Sequence, residues 1–293
     1  MDNTTQVGVI GLGLMGSALA ARLTAAGVGV IGYDIDATRK DGLSGRGAEF
    51  AAFAAEVAAR CRIIVIAVYD AAGIKTLLPD IANASVPPLL ICTTTCAPDE
   101  IAAIAEFAER SHLAFIEAPI SGTSAELREG TATALVAGDV NTIDAAAETL
   151  DILCPRRINV GAIGNASRTK LAINLILQSN RAALAEGIVF AESLGLDGLT
   201  FLASARHSAA YSKVMDSKGP KMLAQDFSPQ SHIAQTLKDA ELILHEAGRH
   251  GLPLPMTSVQ ADLLRTTIAL HGPDSDSAAV IEAIRAGRGR GEG

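Results

Sequence analysis

The chain has 293 residues, 49% of them hydrophobic and 19% charged, and a formal net charge of -8. This length predicts about two domains with buried cores. Aromatic residues make up only 3% and there is no Lys/Arg run, which argues against nucleic-acid binding. The sequence shows neither a membrane-spanning apolar run nor a signal peptide, so we expect a cytoplasmic protein without membrane association. The four cysteines have no metal-ligand or redox spacing, which predicts free thiols and no metal site.

Short β-branched runs alternate with Ala-rich helical segments in the first half of the chain. Seven such runs begin at residues 7, 28, 62, 88, 113, 132 and 156. This alternation predicts an α/β Rossmann-type domain with a mainly parallel sheet over residues 1–163. From residue 164 the pattern is only helical, which predicts an all-α domain over 164–293, entered through a long interdomain helix. The Gly-rich tail, about 286–293, is predicted to be disordered.

The first chemical motif is GLGLMG, which follows the first predicted strand and opens a helix. Its glycines are Gly11, Gly13 and Gly16, and the residues between them are Leu12, Leu14 and Met15. In this context the glycines allow a tight turn, close approach of a pyrophosphate and close packing of helix on strand. The motif therefore predicts a dinucleotide cradle; a glycine-rich turn without a ligand is the alternative.

The second predicted strand ends in Asp34, 18 residues beyond Gly16. A carboxylate at this position accepts hydrogen bonds from the adenosine ribose and repels a 2′-phosphate, which favours NAD over NADP. A helix-capping aspartate is the alternative interpretation, and Arg39 nearby keeps NADP possible.

The segment from Gly161 predicts a long helix that is apolar around most of its circumference. Its polar residues fall on one narrow stripe, formed by Ser167, Lys170, Asn174, Gln178 and Arg181. Such a helix must be largely buried, so the stripe needs polar partners or a cleft. Burial would favour the neutral lysine amine, the form that accepts a proton. The alternative is an ordinary solvated helix face.

Five motifs in order carry a family resemblance. They are GLGLMG at 11–16, TTTCAP at 93–98, EAPISG at 117–122, GNASRTKLAIN at 164–174 and LKD at 237–239. With these motifs the chain resembles the β-hydroxyacid dehydrogenase family, which includes 3-hydroxyisobutyrate dehydrogenase and tartronate semialdehyde reductase and is related to 6-phosphogluconate dehydrogenase. The resemblance implies hydride transfer between a nicotinamide cofactor and a small 3-hydroxy acid, or its semialdehyde or keto form. It also implies a homodimer or homotetramer, with the helical domain serving substrate binding and dimerisation.

The same resemblance assigns roles to individual residues. Lys170 is the implied general acid/base and Asn174, one turn later, faces the same site. Ser121 and Gly122 are the implied contacts of the substrate carboxylate. Further cofactor contacts are expected at Val68, at Thr95 beside the nicotinamide half, and at Lys238, which closes over the site.

The chain departs from the family pattern at three places, two of which bear on the substrate. Thr123 stands where a second glycine is usual, and we count it with the carboxylate contacts. The usual Gly-Phe before Lys238 is replaced by the stretch 230–232, Gln-Ser-His, which predicts a roomier, more polar pocket with His232 as a substrate contact or a surface residue. Cys92 replaces a common Asp, with an effect expected only on packing. Other residues that could line the cleft, or pack between helices, are His207, Ser208 and Tyr211.

Three other functions compete with this interpretation. Imine reductases share the architecture, but by resemblance they usually lack the catalytic lysine. A non-catalytic dinucleotide-binding relative would keep the glycine motif and lose Lys170, Asn174 and Lys238. A decarboxylating enzyme of the 6-phosphogluconate type would need a longer chain and an Arg/Lys-rich phosphate pocket.

Overall fold

The computed structural model describes residues 6–43 and 47–288. The chain divides into two compact units, Met1–Lys170 and Leu171–Gly293. This division lies within one long helix, some residues beyond the boundary at 163 that the sequence predicts. The two units are described in turn below.

The first unit contains nine strands and seven α-helices in its described part, with the beginning of an eighth helix. The strands are β1 Gln6–Ile10, β2 Gly29–Tyr33, β3 Ala48–Phe50, β4 Ile63–Ile66, β5 Leu89–Cys92, β6 Ala114–Glu117, β7 Ile120–Ser121, β8 Thr133–Ala137 and β9 Arg156–Gly161. The helices are α1 Leu14–Ala25, α2 Ala54–Arg60, α3 Ala71–Ala82, α4 Pro98–Arg110, α5 Ser124–Arg128, α6 Val140–Ala145 and α7 Ala147–Leu153, with a 3-10 helix at Ala37–Gly42.

One sheet holds all nine strands in the order β3-β2-β1-β4-β5-β6-β8-β7, with β9 beside β8. The first six strands pair in parallel, β8 runs antiparallel to β6 and β7, and β9 runs parallel to β8. The chain order reverses direction between β1 and β4, and ligands of open α/β sheets bind outside the carboxyl ends of strands at such a switch point. The glycine motif follows β1 at this position.

Both faces of the sheet are buried, because successive strand residues point to opposite sides. In β1, Val7 and Val9 belong to one apolar cluster and Ile10 to the other. In β4, Val65 joins the first cluster while Ile64 and Ile66 join the second. This explains why the strands read as continuous apolar runs rather than as alternating ones.

The helix α8, Asn165–Ser193, is 29 residues long and starts in the first unit. Glu117, the last residue of β6, fixes this start. Its carboxylate accepts hydrogen bonds from the Gly164 N–H, from the Ser167 N–H at 2.9 Å and from the Ser167 hydroxyl at 2.6 Å. Glu117 is 1% exposed, so this is a buried carboxylate at the positive end of a helix. The contact fastens α8 to the carboxyl edge of the parallel strands.

The described residues of the second unit form helices and loops, and the only strand-like pairing among them is one isolated bridge between His232 and Asp276. After α8 come α9 Gly198–Arg206, α10 Val214–Ser217, α11 Gly219–Ala224, α12 Ile233–Arg249, α13 Pro255–His271 and α14 Val280–Arg288, with a 3-10 helix at Ser277–Ala279. Its core includes Leu184 and Ile188 of α8, Ile233 of α12 and Leu264 of α13. None of the described helices is long and apolar enough to cross a membrane.

The mainly parallel sheet and the helical second half agree with the prediction, and all seven predicted runs form strands. Two short strands, β3 and β7, were not predicted, because three and two residues are too few to show a pattern. The predicted disordered tail is wrong for residues 286–288, which extend α14. The rest of that tail, 289–293, lies outside the described residues.

Glu117→Ala should lower the free energy of unfolding by about 2–4 kcal/mol, since three buried donors lose their shared acceptor. Urea denaturation followed by circular dichroism measures this loss. The matched control is Asp139→Ala, which removes the exposed cap of α6 and should cost about 1 kcal/mol. Equal losses in the two variants would contradict the role given to Glu117.

Candidate active site

The glycine loop between β1 and α1 is built for close approach. Gly11 has φ +91°, a conformation that favours glycine, and a Cβ there would lie 2.5 Å from the Ala67 carbonyl oxygen. A Cβ on Gly16 would lie 1.7 Å from the Gly11 carbonyl oxygen. Gly13 precedes the first residue of α1, and no side chain caps this helix end. The first-turn N–H groups of α1 are therefore arranged to bind an anion such as a pyrophosphate.

Asp34 lies directly after β2 and organises the same loop. Its carboxylate accepts the Leu12 N–H at 2.6 Å and the Asp36 N–H at 2.9 Å. The Arg39 Nε lies 3.9 Å from Asp34, and a Cβ on Gly13 would be 3.0 Å from the same guanidinium. A carboxylate and a guanidinium therefore lie beside the glycine loop. A carboxylate accepts hydrogen bonds from ribose hydroxyls and a guanidinium binds phosphate, so the residues present fit an adenine dinucleotide.

The loops after β4 and β5 complete this edge of the sheet. Val68 follows β4, and its carbonyl accepts a hydrogen bond from the Thr94 hydroxyl at 3.0 Å. Its backbone N would lie 3.0 Å from a Cβ on Gly11, which places Val68 against the glycine loop. Thr95, the next residue after Thr94, is half-buried. Val68 and Thr95, two of the predicted cofactor residues, therefore lie at the carboxyl edge of the sheet.

The segment from Ser121 to Thr123 turns from β7 into α5. Ser121 is half-buried, Gly122 is exposed with φ +150°, and a Cβ on Gly122 would lie 2.9 Å from the Ala132 Cβ. Thr123 forms a capping box: its hydroxyl oxygen accepts the Glu126 N–H at 3.2 Å and its own N–H donates to the Glu126 carboxylate at 2.8 Å. Thr123 thus retains only its hydroxyl hydrogen for a substrate.

The polar stripe of α8 is buried along its whole length. The exposed fractions are 2% for Ser167, 6% for Lys170, 5% for Asn174, 3% for Gln178 and 6% for Arg181. The alternative of a solvated helix face is therefore wrong. Ser167 binds Glu117 at the edge of the sheet, and Lys170 follows it by one turn of α8.

In the second unit, Asp239 of α12 holds the next residue of the stripe. The Asn174 side-chain amide donates to Asp239 at 2.9 Å, which orients the Asn174 carbonyl oxygen as an acceptor. Lys238 Nζ lies 3.2 Å from the other oxygen of Asp239. Gln178 donates to the Thr236 carbonyl at 3.2 Å, and its carbonyl oxygen accepts the Gln260 amide at 2.8 Å.

Several other candidates have local roles. The His232 Nδ1 lies 2.9 Å from the Asp274 carbonyl oxygen, and the side chain is 32% exposed. Tyr211, 51% exposed, donates to Asp216 at 2.6 Å. His207 and Ser208 are exposed at the end of α9. No group of three His, Cys, Asp or Glu side chains arranged for a metal occurs within residues 6–43 and 47–288.

Sequence reasoning missed the structural roles of three residues, Glu117, Asp239 and Arg181. Glu117 and Asp239 belong to the family motifs EAPISG and LKD, but sequence reasoning gave neither of them a role. In the structure, Glu117 accepts a hydrogen bond from Ser167 and Asp239 accepts one from Asn174. The available signal was the buried polar stripe of α8, which needs polar partners such as carboxylates elsewhere in the chain. Arg181 was part of the stripe, but nothing in the sequence indicated what its charge faces.

Comparison with known proteins covers nearly the whole chain. Residues 6–161, more than half of it, match the family model described as the NAD binding domain of 6-phosphogluconate dehydrogenase. Residues 164–284 match the one described as NAD-binding of NADP-dependent 3-hydroxyisobutyrate dehydrogenase. The boundary between the two matches falls at the start of α8.

Individual relatives are similar over the same span. Glyoxylate/succinic semialdehyde reductase 2 of Arabidopsis thaliana is 28% identical, over 98% of this chain and 81% of the relative. L-threonate dehydrogenase of Cupriavidus necator is 27% identical, over 94% of each. The structure of Mycobacterium tuberculosis 3-hydroxyisobutyrate dehydrogenase with L-serine superposes with a TM-score of 0.84 at 26% identity, covering 96% of this chain and 99% of that one. On these matches, the chain is a member of the β-hydroxyacid dehydrogenase family and contains an NAD(P)-binding domain.

Proposed function

We propose that the protein is a dehydrogenase that transfers a hydride between a nicotinamide cofactor and a small 3-hydroxy carboxylic acid, or the corresponding semialdehyde or keto acid. Lys170 is the general acid/base. The N-terminal domain, up to residue 163, binds the cofactor, and the helical domain from 164 onward contributes to the substrate site and to dimerisation.

One observation carries this proposal. Lys170 is 6% exposed on a helix whose first turn is fastened by Glu117 to the carboxyl end of β6. The glycine loop follows β1 in the same sheet, and β1, β4, β5 and β6 are all parallel. This arrangement supports a role for the buried Lys170 at the sheet edge where folds of this type bind a dinucleotide. A lysine with only a surface role would not need this burial.

The chemistry assigned to the chain's own residues is proton transfer and orientation. The nicotinamide, when bound, accepts or returns the hydride. In oxidation, the Lys170 amine takes the proton of the substrate hydroxyl; in reduction, its ammonium gives that proton to the forming alkoxide. The Asn174 carbonyl oxygen, oriented by Asp239, accepts from the Lys170 amine or from the hydroxyl. The Ser121 hydroxyl and the Gly122 N–H bind the carboxylate.

The cofactor preference rests on Asp34 and Arg39. Asp34 stands where the ribose hydroxyls of NAD would be recognised, and its negative charge disfavours a 2′-phosphate. Arg39, 3.9 Å from Asp34 and 46% exposed, is the residue that would accept such a phosphate. We propose NAD as the preferred cofactor and NADP as a weaker one.

A homodimer formed through α8 is also proposed. The helix presents an exposed apolar face opposite its polar stripe, with Ile176 60% and Phe190 65% exposed and Ala172 and Ala183 between and beside them. The face continues into Leu194, which is 61% exposed. Large apolar side chains in a row on one helix face are typical of a surface that a partner covers.

Lys170→Ala should reduce kcat by about 10²- to 10⁴-fold, the usual contribution of a general acid/base. Its affinity for NAD should stay within about threefold of the wild-type value, because the amine reacts with the substrate and not with the dinucleotide. NADH formation is followed by absorbance with a panel of small 3-hydroxy acids, and NAD binding by calorimetry. Lys75→Ala, an exposed lysine on α3, is the control. Unchanged turnover in Lys170→Ala would refute the role of the lysine.

Asp34→Ala should lower kcat/KM for NAD by about tenfold and raise it for NADP, since the ribose contact and the repulsion are lost together. Arg39→Ala should leave NAD almost unaffected and weaken NADP further. Both variants are assayed with the two cofactors at fixed substrate. A loss of NADP activity in Asp34→Ala would contradict the assignment.

The double variant Ile176→Glu/Phe190→Glu should halve the molar mass measured by light scattering after size exclusion, because like charges would face each other across the interface. Val86→Glu changes another exposed apolar residue, 46% exposed and far from α8 in sequence, and should leave the mass unchanged. An unaltered assembly in the double variant would place the interface elsewhere.

A further inference from the structure

Arg181 is a buried guanidinium that the proposed reaction does not use. It is 6% exposed, and neither its Nε nor its Nη1 has a hydrogen-bond partner within the described residues. Burial lowers the pKa of Arg181 to about 10, against the opposing effect of Asp276 and Asp239. An arginine at this pKa is still charged at neutral pH, so the helical unit contains a buried cation with unused donors.

The first nearby carboxylate, Asp276, is already committed. Both of its oxygens accept from Lys218 Nζ at 2.8 Å, and it also accepts the backbone N–H groups of Gln230, Ser231 and Ala278. Two carboxylate oxygens offer about four acceptor positions, so this group is saturated. Lys218, 3% exposed, neutralises the charge of Asp276 by direct contact. Asp276 therefore leaves Arg181 without an ion-pair partner.

The second carboxylate, Asp239, is only partly satisfied, because its buried Oδ1 has no hydrogen-bond partner within the described residues. One oxygen accepts the Asn174 amide and the other lies 3.2 Å from Lys238 Nζ. Arg181, Lys218 and Lys238 together carry three positive charges against the two negative charges of Asp239 and Asp276. The excess positive charge belongs to Arg181, since within the described residues Lys218 and Lys238 each lie in direct contact with a carboxylate and the Arg181 guanidinium does not.

The position of Arg181 on α8 relates this cation to the substrate. It follows Asn174 by seven residues, about 10 Å along the helix axis, and lies on the same face. Helical side chains lean toward the N-terminus, so a long side chain at 181 leans toward Asn174. Asp239, whose charge acts on Arg181, is the residue that holds Asn174.

We propose that Arg181 is a specificity-determining residue that binds a second carboxylate at the far end of the substrate. The preferred substrates are then 3-hydroxy dicarboxylic acids rather than 3-hydroxy acids with an apolar tail. A carboxylate accepts two parallel hydrogen bonds from a guanidinium, which uses the donors that the fold leaves without partners. This inference rests on the proposed function, because it names the substrate class of the same site.

The test compares matched acids in wild type and Arg181→Met. Wild type should have about 10- to 100-fold higher kcat/KM for 3-hydroxyglutarate than for 3-hydroxyvalerate, which differs at the far end of the chain. Arg181→Met should reduce this ratio to about one, through a raised KM for 3-hydroxyglutarate, while turnover of 3-hydroxyvalerate persists. Arg181→Lys keeps the charge without the paired donors and should lie between the two. Should Arg181→Met fail to fold, Arg181→Lys carries the comparison.

Arg168→Met is the matched control, since it removes an exposed arginine from the same helix and should not change the ratio. Arg181→Met should also unfold at a higher temperature than wild type, because a buried charge without a contact partner is replaced by an apolar side chain. A lower unfolding temperature with an unchanged substrate ratio would show that Arg181 has only a structural role and would overturn the proposal.

A binding arm separates this inference from the proposed function. Glutarate and pentanoate, which cannot react, are titrated into the NAD-loaded protein by calorimetry. Tighter binding of glutarate that disappears in Arg181→Met supports the Arg181 site even if no hydroxy acid is oxidised. A lack of oxidation would then contradict only the proposed reaction. Equal binding of the two acids by wild type would overturn the Arg181 site.

Discussion

The contact on which the candidate site depends is the one between Glu117 and the first turn of α8. A helix of 29 residues needs a fixed starting point if one of its side chains is to act at a defined place. Glu117 supplies that point from the last position of β6, inside the parallel part of the sheet. The parallel order fixes where β6 ends relative to β1, and the glycine loop follows β1. Sheet topology thereby determines where Lys170 lies.

Beyond this anchor, the stripe of α8 shows several physical solutions to the burial of polar groups. Ser167 donates to the Glu117 carboxylate, Asn174 donates to the Asp239 carboxylate, and Gln178 accepts a hydrogen bond from the Gln260 amide. Each of these side chains has at least one hydrogen-bond partner within the fold. Arg181 is the exception, and an unsatisfied charge of this kind lowers stability. The second substrate carboxylate proposed above would supply the contacts that Arg181 lacks within the fold.

Much of this architecture is readable from the sequence. Apolar runs separated by helical segments predict the parallel sheet. The glycine motif predicts a dinucleotide-binding loop because it directly follows β1 and opens a helix. The buried stripe follows from helical periodicity. The partners of that stripe do not, because Glu117 and Asp239 are distant from α8 in the chain and their contacts depend on tertiary packing. The same limit applies to His232, because nothing in the sequence indicates the contact of its Nδ1 with the Asp274 carbonyl oxygen.

Chemical rescue tests whether the amine of Lys170 moves the proton during hydride transfer. The single-turnover rate of NADH formation is measured in Lys170→Ala, saturated with NAD and substrate, with and without added methylamine. We expect a slow rate that rises with methylamine concentration, because the free amine replaces the missing side chain. A wild-type rate in the absence of amine would contradict this role of Lys170.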